Sequence, residues 1–411
     1  MEDYKVAGID VHKRMLAVVI TNAAAVGEFR FEQRKFGAAE TDLEELKQWF
    51  TSQGVREVVM ESTAQYWKPV WQSLEDDFEL HLAQAQSNKG PKGRKRDFTD
   101  AQRLVRRYIA GELILSFVPD GEQRMWRTLT RTRKQLIRDR VQLQNQLEGY
   151  LEQIRIKLSG HVSDLLGLSG RRMLTALAEG EADAGRIVDL AAKGLKATRE
   201  DLVRALAAAR SLSAMERNIL RLYLERLELL ERQIETLERA TAEALREHED
   251  AVCRLAEVPG LGAESAHQII AEVGPKAASF SSAAQMASWV GCCPGREESA
   301  GISASDASPK GNRYVREVLV QAANAAVKAK GSVFEVLYRR LAARRGHFKA
   351  LWAVAHRICR IAWKILREGV HYEERGVRTN PQAARKRANR LVLTLRRLGY
   401  KVEITPMTGP A

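Results

Sequence analysis

The chain has 411 residues, 45% of them hydrophobic, with 66 Lys+Arg against 52 Asp+Glu and a formal net charge of +14. That length implies two or three domains, and the hydrophobic content is that of a globular protein rather than a disordered one. The basic excess points to a polyanionic partner, nucleic acid above all, although a high-arginine proteome would give the same balance.

The four cysteines, Cys253, Cys292, Cys293 and Cys359, form no C-x-x-C pair, and no histidine pair sits at zinc spacing. Neither a disulfide framework nor a zinc site is expected. MEDYKVAGIDVHK reaches charged residues at once, so no signal peptide is visible. No apolar run approaches the ~20 residues of a membrane span. The expectation is a cytoplasmic protein with no membrane contact.

In chain order, KVAGIDV and MLAVVIT read as strands, and GEFRFEQRKF alternates like an antiparallel strand. Thr41 or Asp42 is placed to cap a helix through about Gln53, with Leu43, Leu46, Trp49 and Phe50 at helical spacing. VREVVME is a buried strand, a helix follows from about Gln65 to Asp76, and ELHLAQ is another strand. This β-β-β-α-β-α-β order predicts three antiparallel strands followed by parallel additions, the plan of an RNase H-like sheet. SNKGPKGRKRD has the content of an exposed loop, and a helix is predicted from about Phe98 to Ala110.

Residues from about 120 to 250 read as helical. Trp126, Leu129, Leu136, Leu143, Leu147, Tyr150 and Ile154 follow a 3/4 rhythm interrupted by Arg133 and Arg140. A cleaner heptad seam runs through Leu220, Tyr223, Leu227, Leu230, Ile234, Leu237, Thr241 and Ala244. Two such helices can pair within one chain or between chains; the broken seam favours a local partner that tolerates polar groups. The predicted layout is an α/β domain over 1–117, a helical coiled-coil linker and oligomerisation region over 118–250, a helical domain over 251–371 and a basic tail over 372–411.

Four acids are candidates for one site. Asp10 ends the first strand, Glu61 ends a later one, and Asp97 and Asp100 lie three apart near a helix start, hence on one helix face. Hard cations such as Mg²⁺ or Mn²⁺ take several oxygen ligands, which such a cluster offers, and bound metal can activate a nucleophile at a phosphodiester. Singly, each acid has a plainer role as a turn former, cap or balance for neighbouring arginines. Arg94, Lys95, Arg96 and Arg103 flank the last two acids and are candidate phosphate contacts.

GIDVHK, ESTAQYWKPVWQSL and KRDFTDAQRL together resemble the three amino-terminal motifs of the DEDD transposases of bacterial insertion sequences, relatives of the Piv DNA invertase. The resemblance implies a RuvC-like catalytic domain whose four acids map onto Asp10, Glu61, Asp97 and Asp100. Thr63, Tyr66 and Trp67 fall in the same motif as packing residues. Downstream, LAEVPGLGAESAHQIIAEVG reads as helix, tight turn, helix, with Gly260 and Gly262 placed as a helix-hairpin-helix contact to phosphate.

WVGCCPGREESAGISASDASPKGNRYVREVLVQAA resembles the second module of the same family. There the resemblance implies a serine nucleophile, matched best by Ser299; Ser308, before PKGN, is the main rival, with Ser303 and Ser305 in the same loop. Ala300 departs from the commoner ESGG form. Lys310, Asn312, Arg313 and Arg316 open the following helix and are candidate nucleic-acid contacts. The resemblance further implies donor and target DNA, a structured bridge RNA as guide, and a homo-oligomer, a dimer or tetramer. Attack by a serine would leave a phosphoserine link and a free 3′-hydroxyl, and rejoining would need no ATP; no G-x-x-x-x-G-K-[ST] loop is present. Two other readings stand beside this one: a RuvC-like nuclease or junction resolvase that hydrolyses with water, and a non-enzymatic coiled-coil scaffold that binds nucleic acid.

Overall fold

A computed structural model describes residues 4–23, 29–62, 64–85, 97–192, 194–293, 297–299, 302–305, 308 and 310–374, with isolated positions between 389 and 402. The chain divides into two compact units, Met1–Glu122 and Gln123–Ala411.

The first unit is a mixed sheet with helices. Its elements are β1 (Lys5–Val11), β2 (Met15–Asn22), β3 (Glu32–Gly37), α1 (Glu40–Gln53), β4 (Val55–Glu61), α2 (Trp67–Leu74), β5 (Glu79–Ala83), α3 (Asp97–Ile109) and β6 (Leu115–Ser116). The sheet order is β3-β2-β1-β4-β5-β6. The first three strands are antiparallel, β4 and β5 run parallel to β1, and β6 is antiparallel to β5. Strands β1, β2 and β4 are buried on both faces, which is why they read as continuous apolar runs. One face packs Ile9, Val58 and Met60 against Leu46 and Phe50 of α1 and Leu74 of α2. The other packs Val6, Val19 and Val59 against Ala101, Leu104 and Val105 of α3.

Two details depart from expectation. Helix α1 is entered at Ala39, whose N–H donates to Asp42 Oδ2 at 3.0 Å, so Asp42 closes the first turn from inside the helix rather than capping it. Strand β3 starts only at Glu32, leaving Phe29 and Phe31 before it. Strand β6 has two residues, too few to carry any periodic signal.

The second unit is nearly all helical. It contains α4 (Gly121–Gln153, whose first turn holds the division), α5 (Leu168–Glu179), α6 (Ala184–Asp189), α7 (Arg199–Ala205), α8 (Ala214–Ala244), α9 (Glu249–Ala256), α10 (Ala263–Val273) and α11 (Ala283–Val290). A short hairpin follows, β7 (Glu297–Ser299) with β8 (Ile302–Ser305), then α12 (Arg313–Ala326), α13 (Val333–Arg345) and α14 (His347–Glu368). Ser213 and Glu216 form a reciprocal capping box that starts α8.

Helices α4 and α8 pair antiparallel within the chain. Arg133 Nε donates to Glu238 Oε1 at 2.9 Å and Arg140 Nε to Glu231 Oε1 at 3.1 Å; near the other end Tyr150 Oη donates to Glu216 O at 2.8 Å. The two arginines that interrupt the α4 seam are therefore its polar contacts to α8. One hydrophobic core joins the carboxy-terminal half of α4 to α5 and α8; a second joins Trp126 to α9 through α14.

Candidate active site

Strand geometry sets the site in the first unit. Residues 6, 8 and 10 of β1 alternate onto the α3 face, as do 57, 59 and 61 of β4. Gly8 lets the helix approach: a Cβ there would lie 2.3 Å from Val105 Cγ2 and 2.9 Å from Ala101 O. The first turn of α3 is thereby held against the carboxyl ends of β1 and β4. Asp10, Glu61 and Asp100 come within electrostatic reach of one another there. Burial raises the Asp10 pKa above its ordinary value, and the Asp100 and Glu61 charges push it the same way, against the lowering effect of His12.

Two basic side chains lie against the cluster. His12 Nε2 lies 3.2 Å from Asp10 Oδ2, and Arg103 Nη2 donates to Asp100 Oδ1 at 2.6 Å. The Asp10 and Asp100 side chains are about four-fifths buried, with 19% and 21% exposure. Just past Glu61, Ala64 takes a left-handed φ of 47°, a conformation that costs a non-glycine residue roughly 1 kcal/mol and here turns the chain sharply toward α2. Tyr66 is 40% exposed, so it does not pack around the site as expected, whereas Trp67 packs edge-on against Trp71. Asp97 begins α3, but its side chain lies outside the described residues, as do Arg94, Lys95, Arg96 and Thr63.

Sequence reasoning missed a second group on the same face. Glu57, Glu79 and His81 present ligand atoms all within 4.8 Å of one another. Glu57 pairs with Glu79 in the β4–β5 register, two residues before Val59 pairs with His81. Four residues of β4 separate Glu57 from Glu61, about 13 Å along the strand. Tyr108, near the end of α3, donates to Glu57 Oε2 at 2.8 Å and lies against the His81 ring, centroids 4.7 Å apart. Two carboxylates and an imidazole are a donor set for a divalent metal. The only sequence trace was the E-x-H spacing of ELHLA, which says nothing until β5 is registered against β4.

In the second unit, the segment that bears Ser299 is a hairpin rather than an open loop. Ser299 ends β7 and pairs with Ile302, while Ser303 and Ser305 lie in β8; their side chains are outside the described residues. Both feet of this segment are held. Arg316 Nη1 donates to Gly291 O at 3.1 Å, and its guanidinium lies 4.8 Å from the centroid of the Trp352 ring. Trp352 Nε1 donates to Ser308 Oγ at 2.7 Å. One arginine–tryptophan clasp thus grips Gly291, six residues before the hairpin, and Ser308, three residues after it.

The K-G-N element has a structural explanation. A Cβ on Gly311 would lie 2.1 Å from Val290 O, so only glycine lets the chain pass there. Asn312 Oδ1 accepts from Tyr314 N at 2.9 Å and Val315 N at 3.1 Å, capping α12, and its Nδ2 donates to Glu272 Oε2 at 2.8 Å. Glu272 is 2% exposed and receives Arg131 bidentately, at 2.7 and 2.8 Å. Asn312 and Arg316, expected at phosphates, thus have internal partners. Lys310 and Arg313 are exposed. Gly260, at φ +90°, sits against α12, where a Cβ would meet Ala322 O at 2.2 Å; around Gly262 there is open space.

A carboxylate-bearing α/β sheet followed in one chain by a helical unit is the frame in which the comparisons with known proteins fall. A transposase family model of the DEDD, IS110 type matches residues 7–156, and the transposase IS116/IS110/IS902 family model matches residues 253–339. Together they span more than half the chain, which belongs to the IS110 family of DEDD transposases. A Pseudomonas aeruginosa chain named as a family 20 transposase is 27% identical over 281 residues, 67% of this chain and 73% of the relative. A Sinorhizobium fredii chain named as transposase y4pF/y4sB is 25% identical over 292 residues, 68% of this chain and 64% of the relative. Membership implies an enzyme of transposition with DNA as its substrate.

Proposed function

We propose that this chain cuts and rejoins the DNA of an insertion sequence by metal-dependent attack of a serine hydroxyl on a phosphodiester. The observation that carries this reading is the convergence of Asp10, Glu61 and Asp100 at one sheet edge, where burial and the neighbouring carboxylates raise the Asp10 pKa. Three partly buried carboxylates gathered at one edge are suited to a hard divalent cation, and their oxygen donors fit Mg²⁺ or Mn²⁺. When bound, such a cation supplies Lewis-acid stabilisation of the charge that develops on the phosphoryl oxygens. Asp10, Glu61, Asp97 and Asp100 would hold it, in a domain we read as RuvC-like.

Ser299 is the nucleophile in this reading. Its Oγ forms a bond to phosphorus as the bond to the 3′-oxygen breaks; the serine proton is released and the 3′-oxygen gains one. The product is a phosphoserine link and a free 3′-hydroxyl, and the reverse step on another strand rejoins DNA without an outside energy source. Arg103, Lys310 and Arg313 would hold phosphates near the reacting groups, with Gly262 at the exposed start of α10. A structured bridge RNA is the proposed guide, and the cytoplasm the proposed compartment. No helix among the described residues is long and apolar enough to cross a membrane. Oligomerisation through α8 is supported by Met215, Leu222 and Leu229, exposed apolar side chains at heptad spacing.

The test is direct. Wild-type protein incubated with Mg²⁺ and a DNA carrying insertion-sequence ends is expected to yield a covalent protein–DNA adduct, with the phosphate mapped to Ser299 by mass spectrometry. Ser299→Ala should abolish the adduct and Ser308→Ala should keep it. Strand cleavage without any adduct would make the enzyme a hydrolytic nuclease instead.

A further inference from the structure

The carboxy-terminal end of α14 borders a cleft of about 400 Å³ that no proposed step uses. Its rim carries Arg357, Arg360 and Lys364. These positions, i, i+3 and i+7, share one helix face and extend over about 10 Å of the axis. Arg357 and Arg360 form no ion pair among the described residues, and Lys364 Nζ is 3.7 Å from Glu368 Oε2. Three cations against Glu368 and the lining Glu373 leave this face net positive.

Below the rim the cleft is apolar and aromatic. Ile361, Ile365 and Val333 line it together with Trp363 and Tyr372. Trp363 is immobilised by Nε1 donating to Phe280 O at 3.1 Å. Tyr372 is held by stacking on Phe334, centroids 6.3 Å apart and planes 13° apart, and by its hydroxyl donating to Glu374 Oε2 at 2.8 Å. Both rings are therefore in place before any ligand arrives. Glu373 is the single carboxylate among the described lining residues.

We propose that this cleft takes one unstacked nucleotide of a single-stranded nucleic acid, its base against Trp363 and Tyr372 and its phosphates against Arg357, Arg360 and Lys364. The inference rests on the reading of the chain as a nucleic-acid enzyme and names a further place where that partner is held. A concave site of this volume accepts a base only when it is out of the stack, which a duplex does not offer. An acidic peptide would satisfy the cations but leave the fixed aromatic floor unused.

The experiment is a salt titration of the full chain with a fluorescent short single-stranded oligonucleotide, an abasic oligonucleotide of equal length, and poly-glutamate as competitor. Arg357 and Arg360 are exposed, so the double variant Arg357→Gln/Arg360→Gln should keep the wild-type melting curve. Its log K against log salt should be shallower by about 1.4, for two lost phosphate contacts. Wild type should bind the base-bearing strand about tenfold or more tightly than the abasic one. An unchanged salt slope, or equal affinity for the two strands, would overturn the proposal. Competition by poly-glutamate as effective as that of unlabelled oligonucleotide would assign the cleft to acidic peptides and overturn it as well. The covalent-adduct assay run in parallel separates the two readings: loss of the adduct reading leaves the salt slope standing, and an unchanged slope with a normal adduct removes the cleft alone.

Discussion

The two units use charged residues in opposite ways. In the sheet unit, Asp10, Glu61 and Asp100 are drawn together on a half-buried edge, and burial and like charge both resist ionisation of Asp10. In the helical unit, acids are held by ion pairs, Glu272 fully buried and Glu231 and Glu238 half-buried. Glu272 has Arg131 and Asn312, Glu231 has Arg140 and Arg171, and Glu238 has Arg133. Ion pairs hold helices in place there, whereas the sheet unit sets three carboxylates side by side at one edge. The same residue types thus serve architecture in one unit and, in the proposed mechanism, chemistry in the other.

That contrast can be broken from either side. Asp10→Asn is expected to reduce Mg²⁺-dependent cleavage more than about a hundredfold while raising the melting midpoint, because it removes a charge that opposes folding. The sign follows from the raised pKa: the folded state holds the Asp10 proton more tightly than the unfolded chain. Wild type should therefore lose stability relative to the variant as pH rises above about 4. Mg²⁺ should raise the wild-type midpoint and leave that of Asp10→Asn where it is. A midpoint that falls in the variant would show that Asp10 is compensated after all.

Glu272→Ala should act in the reverse sense, costing about 3 kcal/mol in chemical denaturation by removing the buried partner of the half-buried Arg127 and Arg131 and of Asn312. If it costs less than about 1 kcal/mol, the helical unit does not depend on its ion pairs in the way described here. Gly8→Ala should cost about 1–3 kcal/mol and lower cleavage with it, since α3 must move away from β1 and take Asp100 along. Activity unchanged at that loss of stability would separate the packing of α3 from the acidic site.

Trp352→Phe keeps the ring under Arg316 but removes the hydrogen bond to Ser308, worth about 1 kcal/mol. The expected result is slower adduct formation with unchanged DNA affinity. Slower binding at normal chemistry would mean that the clasp does not position the hairpin.

The smallest effect concerns His267, which is 6% exposed and finds no hydrogen-bond partner for either ring nitrogen among the described residues. Burial holds its pKa below the ordinary value, so the unfolded chain takes up a proton near pH 6.5 that the fold refuses. Stability should fall as pH drops through that range, by no more than about 1.4 kcal/mol per pH unit. His267→Leu should flatten that slope.

Much of this organisation was legible along the chain. Apolar runs located β1, β2 and β4, with Asp10 and Glu61 toward the ends of the first and last, because strands buried on both faces read as continuous apolar stretches. The heptads of α4 and α8 announced two long helices, and Arg133 and Arg140 marked a polar partner without naming it. Asp97 and Asp100 stood out because acids among arginines oppose a simple polyanion surface. What stayed hidden were relations between distant positions: Glu57 beside His81, Asn312 beside Glu272, and Arg316 with Trp352 at both feet of the serine hairpin.

By itself the sequence determined which residue types were available, which segments would form strands or helices, and where chemistry-bearing acids would fall within them. Local periodicity records how one element is buried, and nothing about its neighbours. Only the tertiary structure decided which charges would be compensated. It placed Gly8 where α3 could close on β1 and bring Asp100 toward Asp10, and it turned Asn312 inward to Glu272. Those outcomes depend on strand register and helix approach, which are set by the packing of residues far apart in the chain.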